Sequence, residues 1–275
     1  MSISRAIFPL LMGALFFSGC GEQTPTAPPS GSSASISAAV RMTEGSLATL
    51  ALSKMVLKVS GGGISTIEKE MELSAGGARA AVNVPVDVNL TYAVIAYMDT
   101  TEVLSGSTTY TAKSGVDNEI DIALDFLVPA LILSPAKVTV NLNDSVTVYL
   151  SARKMTDLAT FGARVHFDPA ALQVIDLGRE DEFLSKAGGV VMQAPGGFTK
   201  DNVAGTVEII LSIFPSSKSV SGTGTVGRIV FRAVKEGLTE LQLITDSSTD
   251  GKLGLYDKDA VLLESIALGS DITVQ

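Results

Sequence analysis

Cysteine, histidine and tryptophan are almost missing from this chain of 275 residues, which contains one Cys, one His and no Trp. A single cysteine excludes an internal disulfide bond and any cysteine-rich metal site. A single histidine excludes the zinc motifs that use a pair of imidazoles. Basic residues number 20 against 29 acidic ones, so the chain lacks the basic stripe that nucleic-acid binding requires.

Charge and aromatic rings are also scarce, at 18% and 5% of residues, whereas hydrophobic residues make up 46%. That apolar content is ample for a packed core and excludes a chain that is disordered throughout. The length allows one large domain or two ordinary ones. This profile fits an all-β binding or structural protein better than an enzyme, and we predict no catalytic activity and no cofactor.

The N-terminus has the pattern of a secretory signal, because Arg5 precedes an apolar run over 6–17 that ends at small residues. The run is shorter than the roughly 20 residues that span a bilayer. The next residues, Phe17-Ser18-Gly19-Cys20, resemble the bacterial lipobox, although Phe17 stands where Leu is usual. The resemblance implies that 1–19 is removed and that Cys20 carries acyl chains such as palmitate. The alternative is a free Cys after an ordinary signal peptide.

The segment after Cys20 begins with a stretch rich in Pro, Ser, Thr and Gly, GEQTPTAPPSGSSAS, which cannot build a core. We predict a tether over 20–46. Gly21 resembles the pattern of lipoproteins that are passed to an outer membrane. The predicted location is therefore the cell envelope, at the outer membrane in a Gram-negative cell, and the lipid is the only predicted membrane attachment.

Residues 47–128 contain six short strand-like runs, spaced about ten residues apart and separated by turn residues. This spacing predicts a small antiparallel sandwich, similar to the immunoglobulin-like, transthyretin-like or fibronectin-like domains of bacterial surface proteins. The domain is either a structural spacer or a second binding module. Pro129 marks the junction that follows, because proline removes a backbone donor and restricts its neighbour.

Residues 131–275 carry four motifs in a fixed order: Gly-x-x-hydrophobic-x-Phe-Asp-Pro near 162–169, Leu-x-Val at 172–174, Gly-Thr-Gly-Thr leading into Ile-x-Phe-x-Ala over 222–233, and Gly-x-x-x-Leu-x-Leu at 237–243. Together they resemble the cohesin domain of bacterial cellulosomes. The resemblance implies a nine-stranded jelly-roll β-sandwich that binds dockerin modules. It also implies a superfamily shared with carbohydrate-binding modules.

Side-chain phase predicts which residues of these strands point outward. Phe161, Ala163, Val165 and Phe167 share one face by the period of two, and Ile229, Phe231 and Ala233 do the same on a later strand. In cohesins the dockerin lies across the sheet that would contain these strands and the strand over 207–214. The resemblance and the phase together give an outward partner-binding set: Thr160, Arg164, His166, Glu208, Ile210, Ser212, Arg228, Val230 and Arg232. The alternative is a plain solvated sheet face.

The sequence thus predicts a lipid-anchored envelope protein that binds a dockerin-type or related protein module, in connection with polysaccharide degradation. The alternative is a carbohydrate-binding module that attaches to glycans directly. Flat glycan surfaces are bound by coplanar Trp and Tyr rings. The chain has no Trp, and the second body has only Tyr149 and Tyr256, which disfavours such a platform.

Other candidate sites have simpler interpretations. The spacing Gly222-x-Gly224-x-x-Gly227 satisfies a dinucleotide fingerprint, but the following segment is strand-like, whereas that site needs a helix. His166 has no nucleophile in a recognisable setting. The cluster Glu180-Asp181-Glu182 is interpreted as a solvated acidic loop. Turn residues are likewise predicted in preference to a metal site for four aspartates: Asp246, Asp250, Asp257 and Asp259.

Overall fold

The computed structural model describes residues 32–42, 47, 50–74, 77–245 and 251–275, and in these ranges the chain is almost entirely β-strand. The expected all-β class is confirmed. The strands are β1 (Ser33–Met42), β2 (Lys54–Ser60), β3 (Ile67–Glu70), β4 (Glu72–Ser74), β5 (Gly77–Pro85), β6 (Asn89–Met98), β7 (Thr101–Thr111), β8 (Asn118–Phe126), β9 (Ala130–Ser134), β10 (Lys137–Val140), β11 (Ser145–His166), β12 (Leu172–Arg179), β13 (Val190–Asp201), β14 (Thr206–Phe214), β15 (Val220–Ala233), β16 (Gly237–Ile244), β17 (Gly254–Asp257), β18 (Ile266–Leu268) and β19 (Ser270–Val274). One short helix, α1 (Glu182–Ser185), lies between β12 and β13.

The first body contains β1 to β8, joined in the order β3-β2-β6-β7-β8-β1-β5-β4. Only two residue pairs connect β7 to β8, Leu104 with Phe126 and Ser105 with Asp125. The strands therefore form two layers, β3-β2-β6-β7 and β4-β5-β1-β8, over one shared core. Alternate residues supply that core because side chains of a strand point to opposite faces in turn; in β5 these are Ala78, Ala80, Val82 and Val84.

The predicted tether extends too far along the chain. Residues 33–42 form β1, which pairs with β5 on one side and β8 on the other. Its inward side chains, Ile36, Ala38 and Val40, are buried in the first core. The Ser- and Ala-rich composition of this segment obscured an alternation that is typical of a half-buried strand.

The second body is a two-layer sandwich of eleven strand segments, against the nine expected; β17 and β18 are only four and three residues long. We call its two layers the front sheet and the back sheet. The front sheet contains β13, β14, the second half of β11, β17, β16, β19 and β10. The back sheet contains β12, β15, the first half of β11, β9 and β18.

Strand β11 passes from the back sheet into the front sheet. Its pairing with β15 is interrupted by register shifts between Leu150 and Leu158. Within this stretch Lys154 and Asp157 have positive φ values of 51° and 52°. Such bulges bend a strand and increase its twist, which is how a strand turns a sandwich corner. The two halves of β11 therefore face different neighbours.

Strand β9 joins the two bodies because its side chains enter both cores. Leu131 and Leu133 pack in the core of the second body, whereas Ala130 and Ile132 pack in the core of the first. Strand β18, which lies beside β9, adds its own Ile266 and Leu268 to the first core. The outer face of the back sheet is consequently covered at its β9–β18 end, and residues 32–275 form one compact unit.

Candidate functional site

Six of the nine predicted partner-binding residues lie together on the outer face of the front sheet. Strands β11 and β14 are antiparallel, and their register pairs Thr160 with Ser212 and Arg164 with Glu208. The intervening inward residues are buried in the core, so the predicted phase is confirmed for both strands. The six residues that share this front face are Thr160, Arg164, His166, Glu208, Ile210 and Ser212.

The other three predicted residues lie on the opposite side of the sandwich, which corrects the expected single face. Arg228, Val230 and Arg232 point outward from β15, as their phase predicted, but β15 belongs to the back sheet. On the inward side of the same strand, a Cβ placed on Gly227 would lie 2.9 Å from Cδ1 of Ile209 in β14. Strands β14 and β15 therefore face each other across the core, and their outward side chains point in opposite directions.

An ion pair organises one end of the front face. Arg164 Nε donates to Glu208 Oε1 at 3.0 Å, and Nη2 donates to the same oxygen. Both side chains are about three-quarters buried, and a fork of two charge-assisted hydrogen bonds holds them in a fixed orientation. His166 is exposed beside this pair, between Thr206 of β14 and Gln242 of β16. This end offers polar groups in fixed positions.

The middle of the front face is covered by the chain itself. Ile210, predicted as an outward apolar contact, is only 7% exposed. A Cβ on Gly197 of β13 would lie 2.8 Å from Cβ of Ile210, and a Cβ on Gly162 of β11 would collide with the Lys252 carbonyl oxygen. The β13 backbone at Gly197 therefore lies close against Ile210, and the backbone at Lys252 lies close above Gly162, where a larger side chain would collide with it. Ile210 is therefore largely inaccessible to a partner.

An exposed apolar cluster lies at the other end of the face, and the sequence predictions missed it. Val190, Met192 and Phe214 are 66%, 51% and 59% exposed. Val190 pairs with Phe214 and Met192 pairs with Ser212, which places the three side chains on the same outer surface as the ion pair. A Val-Val-Met run between two glycine pairs was the available signal for β13. Its face could not be assigned without its pairing to β14.

The back face has a different character. Arg228 contacts two carboxylates, with Nη1 at 3.0 Å from Asp176 Oδ2 and Nε at 3.6 Å from Glu180 Oε1. In the same loop Arg179 Nη2 lies 2.7 Å from Asp181 Oδ2. Glu180 and Asp181, the acidic residues just before α1, thus form surface ion pairs. These ion pairs lie at the β12 edge of the back face, and the first body covers its β9–β18 end.

The two tyrosines of the second body lie on opposite sheets. Tyr256 of β17 is beside Thr160 in the front sheet, whereas Tyr149 pairs with Arg228 and Ser134 in the back sheet. They cannot form one stacking surface.

The remaining candidate motifs occupy structural positions. Gly222, Gly224 and Gly227 lie within β15, which continues as a strand to Ala233 where a dinucleotide site needs a helix, so the dinucleotide interpretation fails. Asp257 Oδ1 accepts the backbone N–H groups of Asp259 and Val261 at 2.9 and 2.8 Å, which is the geometry of a turn. Two of the sequence candidates for calcium, Asp246 and Asp250, lie outside the described residues.

No group of three or more His, Cys, Asp or Glu side chains in the described ranges could hold a metal ion. No helix in those ranges is long and apolar enough to cross a membrane. The predicted lipid attachment at Cys20 and the signal over 1–19 also lie outside the described residues.

Comparison with known proteins gives similarities at the level of structure alone. No protein-family model and no curated protein matches the chain. Solved structures that are similar include the OlpA cohesin in a cohesin–dockerin complex from Clostridium thermocellum (12% identity, TM-score 0.42, covering 54% of this chain and 99% of that one). A type II cohesin of Acetivibrio cellulolyticus has 16% identity and a TM-score of 0.44 over 53% of this chain and 95% of its own. A non-cellulosomal cohesin of Archaeoglobus fulgidus has 13% identity and a TM-score of 0.39 over 54% and 91%. At such TM-scores, what this chain binds has to be inferred from its own residues.

Proposed function

We propose that this protein is a lipid-anchored component of the cell envelope whose second body binds a dockerin-type protein module through the front face. The observation that carries the proposal is the contrast between the two outer faces. The first body covers one end of the back face, whereas the front face presents polar residues at one end and exposed apolar side chains at the other. Apolar side chains and fixed polar groups on one face are the usual composition of a specific protein interface.

A protein partner is favoured over a glycan by the arrangement of aromatic rings. Glycan platforms need several coplanar rings, and the chain has no Trp. Tyr149 and Tyr256 lie on opposite sheets. The apolar area of the front face comes from Val190 and Met192 together with the single ring of Phe214, and such side chains are suited to packing against a partner's own apolar residues.

The proposals for the lipid anchor and for the biological setting rest on the amino-acid sequence. The lipobox-like Phe17-Ser18-Gly19-Cys20 supports lipid attachment at Cys20, followed by a Pro- and Ser-rich segment that would hold the folded unit away from the membrane. The proposed link to polysaccharide degradation is supported by the cohesin-like motifs over 162–243.

The binding test uses the full chain and dockerin modules from the same genome, measured by isothermal titration calorimetry. Val190→Glu places a charge in the apolar cluster and should weaken binding at least about tenfold, or ~1.4 kcal/mol. The matched control is Val116→Glu, at a residue of the first body with a similar exposure of 59% against 66% for Val190; its affinity should stay unchanged.

Two results would reject this assignment. Equal affinities for the Val190→Glu and Val116→Glu proteins would place the binding surface elsewhere. Retention on soluble xylan or cellulose oligosaccharides, with no dockerin bound, would favour the glycan-binding alternative.

A further inference from the structure

Strand β1 has an unusual place in the first body, because it pairs in parallel with β8 and antiparallel with β5 at the same time. The parallel register runs without interruption through seven residue pairs, from Ile36 with Asn118 to Met42 with Leu124. Hydrogen bonds on both edges, together with the buried side chains of Ile36 and Ala38, fix β1 in the middle of its layer.

The order of the strands along the chain determines how a pulling force would act on this parallel pair. The predicted tether precedes β1, so a pull on the anchor enters at Ser33. Strand β8 ends at Phe126, and β9 of the second body begins only four residues later at Ala130. In a parallel pair, the first residue of one strand and the last residue of the other lie at opposite ends. A pull between them slides the strands past each other and loads all the inter-strand hydrogen bonds at once.

We propose that β1 and β8 form a shear clamp that carries tension between the envelope anchor and a partner held on the front face. The role as a load path rests on the proposed function, whereas the clamp itself follows from the topology. A pull that separated the same strands from one end would load one hydrogen bond after another and would meet much less resistance.

Side chains reinforce the clamp across the same seam. Arg41 of β1 donates from Nε to Asp121 Oδ2 of β8. At the end of β8 nearest the second body, Lys154 Nζ lies 3.4 Å from Asp125 Oδ2. This ion pair links the end of β8 to β11. The core packing of Ala130 and Ile132 against the first body acts at the same junction.

The clamp can be tested by pulling one fold in two directions with optical tweezers. Cys20, the only cysteine of the chain, takes one handle in unacylated full-length protein. Leu127→Cys places the second handle just after β8, and Val116→Cys places it just before β8. Both sites are exposed, at 43% and 59%, and hydrogen exchange would verify that both variants keep the native fold.

We expect the Cys20–127 pair to require at least about twice the unfolding force of the Cys20–116 pair at the same loading rate, since forced unfolding follows the height of the unfolding barrier. Equal forces, or a lower force for the 127 handle, would overturn the clamp. The measurement contains no partner and no lipid. A failed binding assay would therefore argue against the proposed source of tension. It would not affect the expected difference in unfolding force between the two pulling directions.

Discussion

Replacement of Ile132 by Ala tests whether the two bodies fold as one unit. Ile132 belongs to a strand of the second body, yet its side chain is fully buried in the core of the first. Truncation of a fully buried Ile to Ala costs about 2–5 kcal/mol, through lost burial and the cavity that remains. If the bodies were independent, Ile132 would be a surface residue and the same change would alter stability by only about 0.5 kcal/mol.

Leu133→Ala is the matched control, because Leu133 is the next residue of β9, is equally buried and enters the opposite core. Urea unfolding is followed by hydrogen exchange of one segment in each body, β6 for the first and β14 for the second. With a loss of about 3 kcal/mol and an m-value of about 3 kcal/mol/M, each variant should lower the midpoint of both segments by about 1 M.

The outcome that refutes the shared core is specific. If the β6 segment keeps its wild-type midpoint in the Ile132→Ala protein, β9 contributes nothing to the stability of the first body. The front face would then be free to move relative to the first body, and tension would pass through a flexible joint.

Two further predictions concern single side chains. Burial raises the pKa of Tyr92 to about 12, and its hydroxyl has no hydrogen-bond partner in the described part of the chain. The folded state therefore keeps the tyrosine proton at a higher pH than the unfolded state does. As a result, the stability of the fold should fall as pH rises from about 10 to 12. Tyr92→Phe should flatten that fall in thermal melts without loss of stability at neutral pH, and an unchanged pH profile would contradict this cause. Cys20→Ser should move the protein from the membrane fraction to the soluble one, and unchanged fractionation would disprove lipid anchoring.

Local patterns predicted much of the second body. Phe161, Ala163 and Val165 alternate with polar or small residues, and this alternation was enough to assign the buried face of the second half of β11. The same reasoning assigned the faces of β15 correctly. These predictions succeeded because side-chain direction along a strand is a property of neighbouring residues.

Long-range pairing could not be predicted in this way. The polar stretch between Leu150 and Leu158 looks like a loop in the sequence, whereas in the structure it is the bulged corner of one long strand. β1 was missed because its core residues include only two large side chains, Ile36 and Val40. In both cases the deciding contacts come from strands far away in the chain, β15 in one and β8 in the other.

Phase and sheet membership together determine which surface a partner can reach. In a sandwich, the outward residues of any strand point in one of two opposite directions, so correct phases on β11, β14 and β15 still left the partner-binding set divided between two faces. The choice between those faces comes from outside the second body. Ala130 and Ile132 pack the first body onto the β9–β18 end of the back sheet, whereas the front sheet carries the exposed apolar cluster at one end and the pair of Arg164 and Glu208 at the other. In the proposed function the first body is therefore more than a spacer, because its packing on the back sheet would leave the front sheet for the partner.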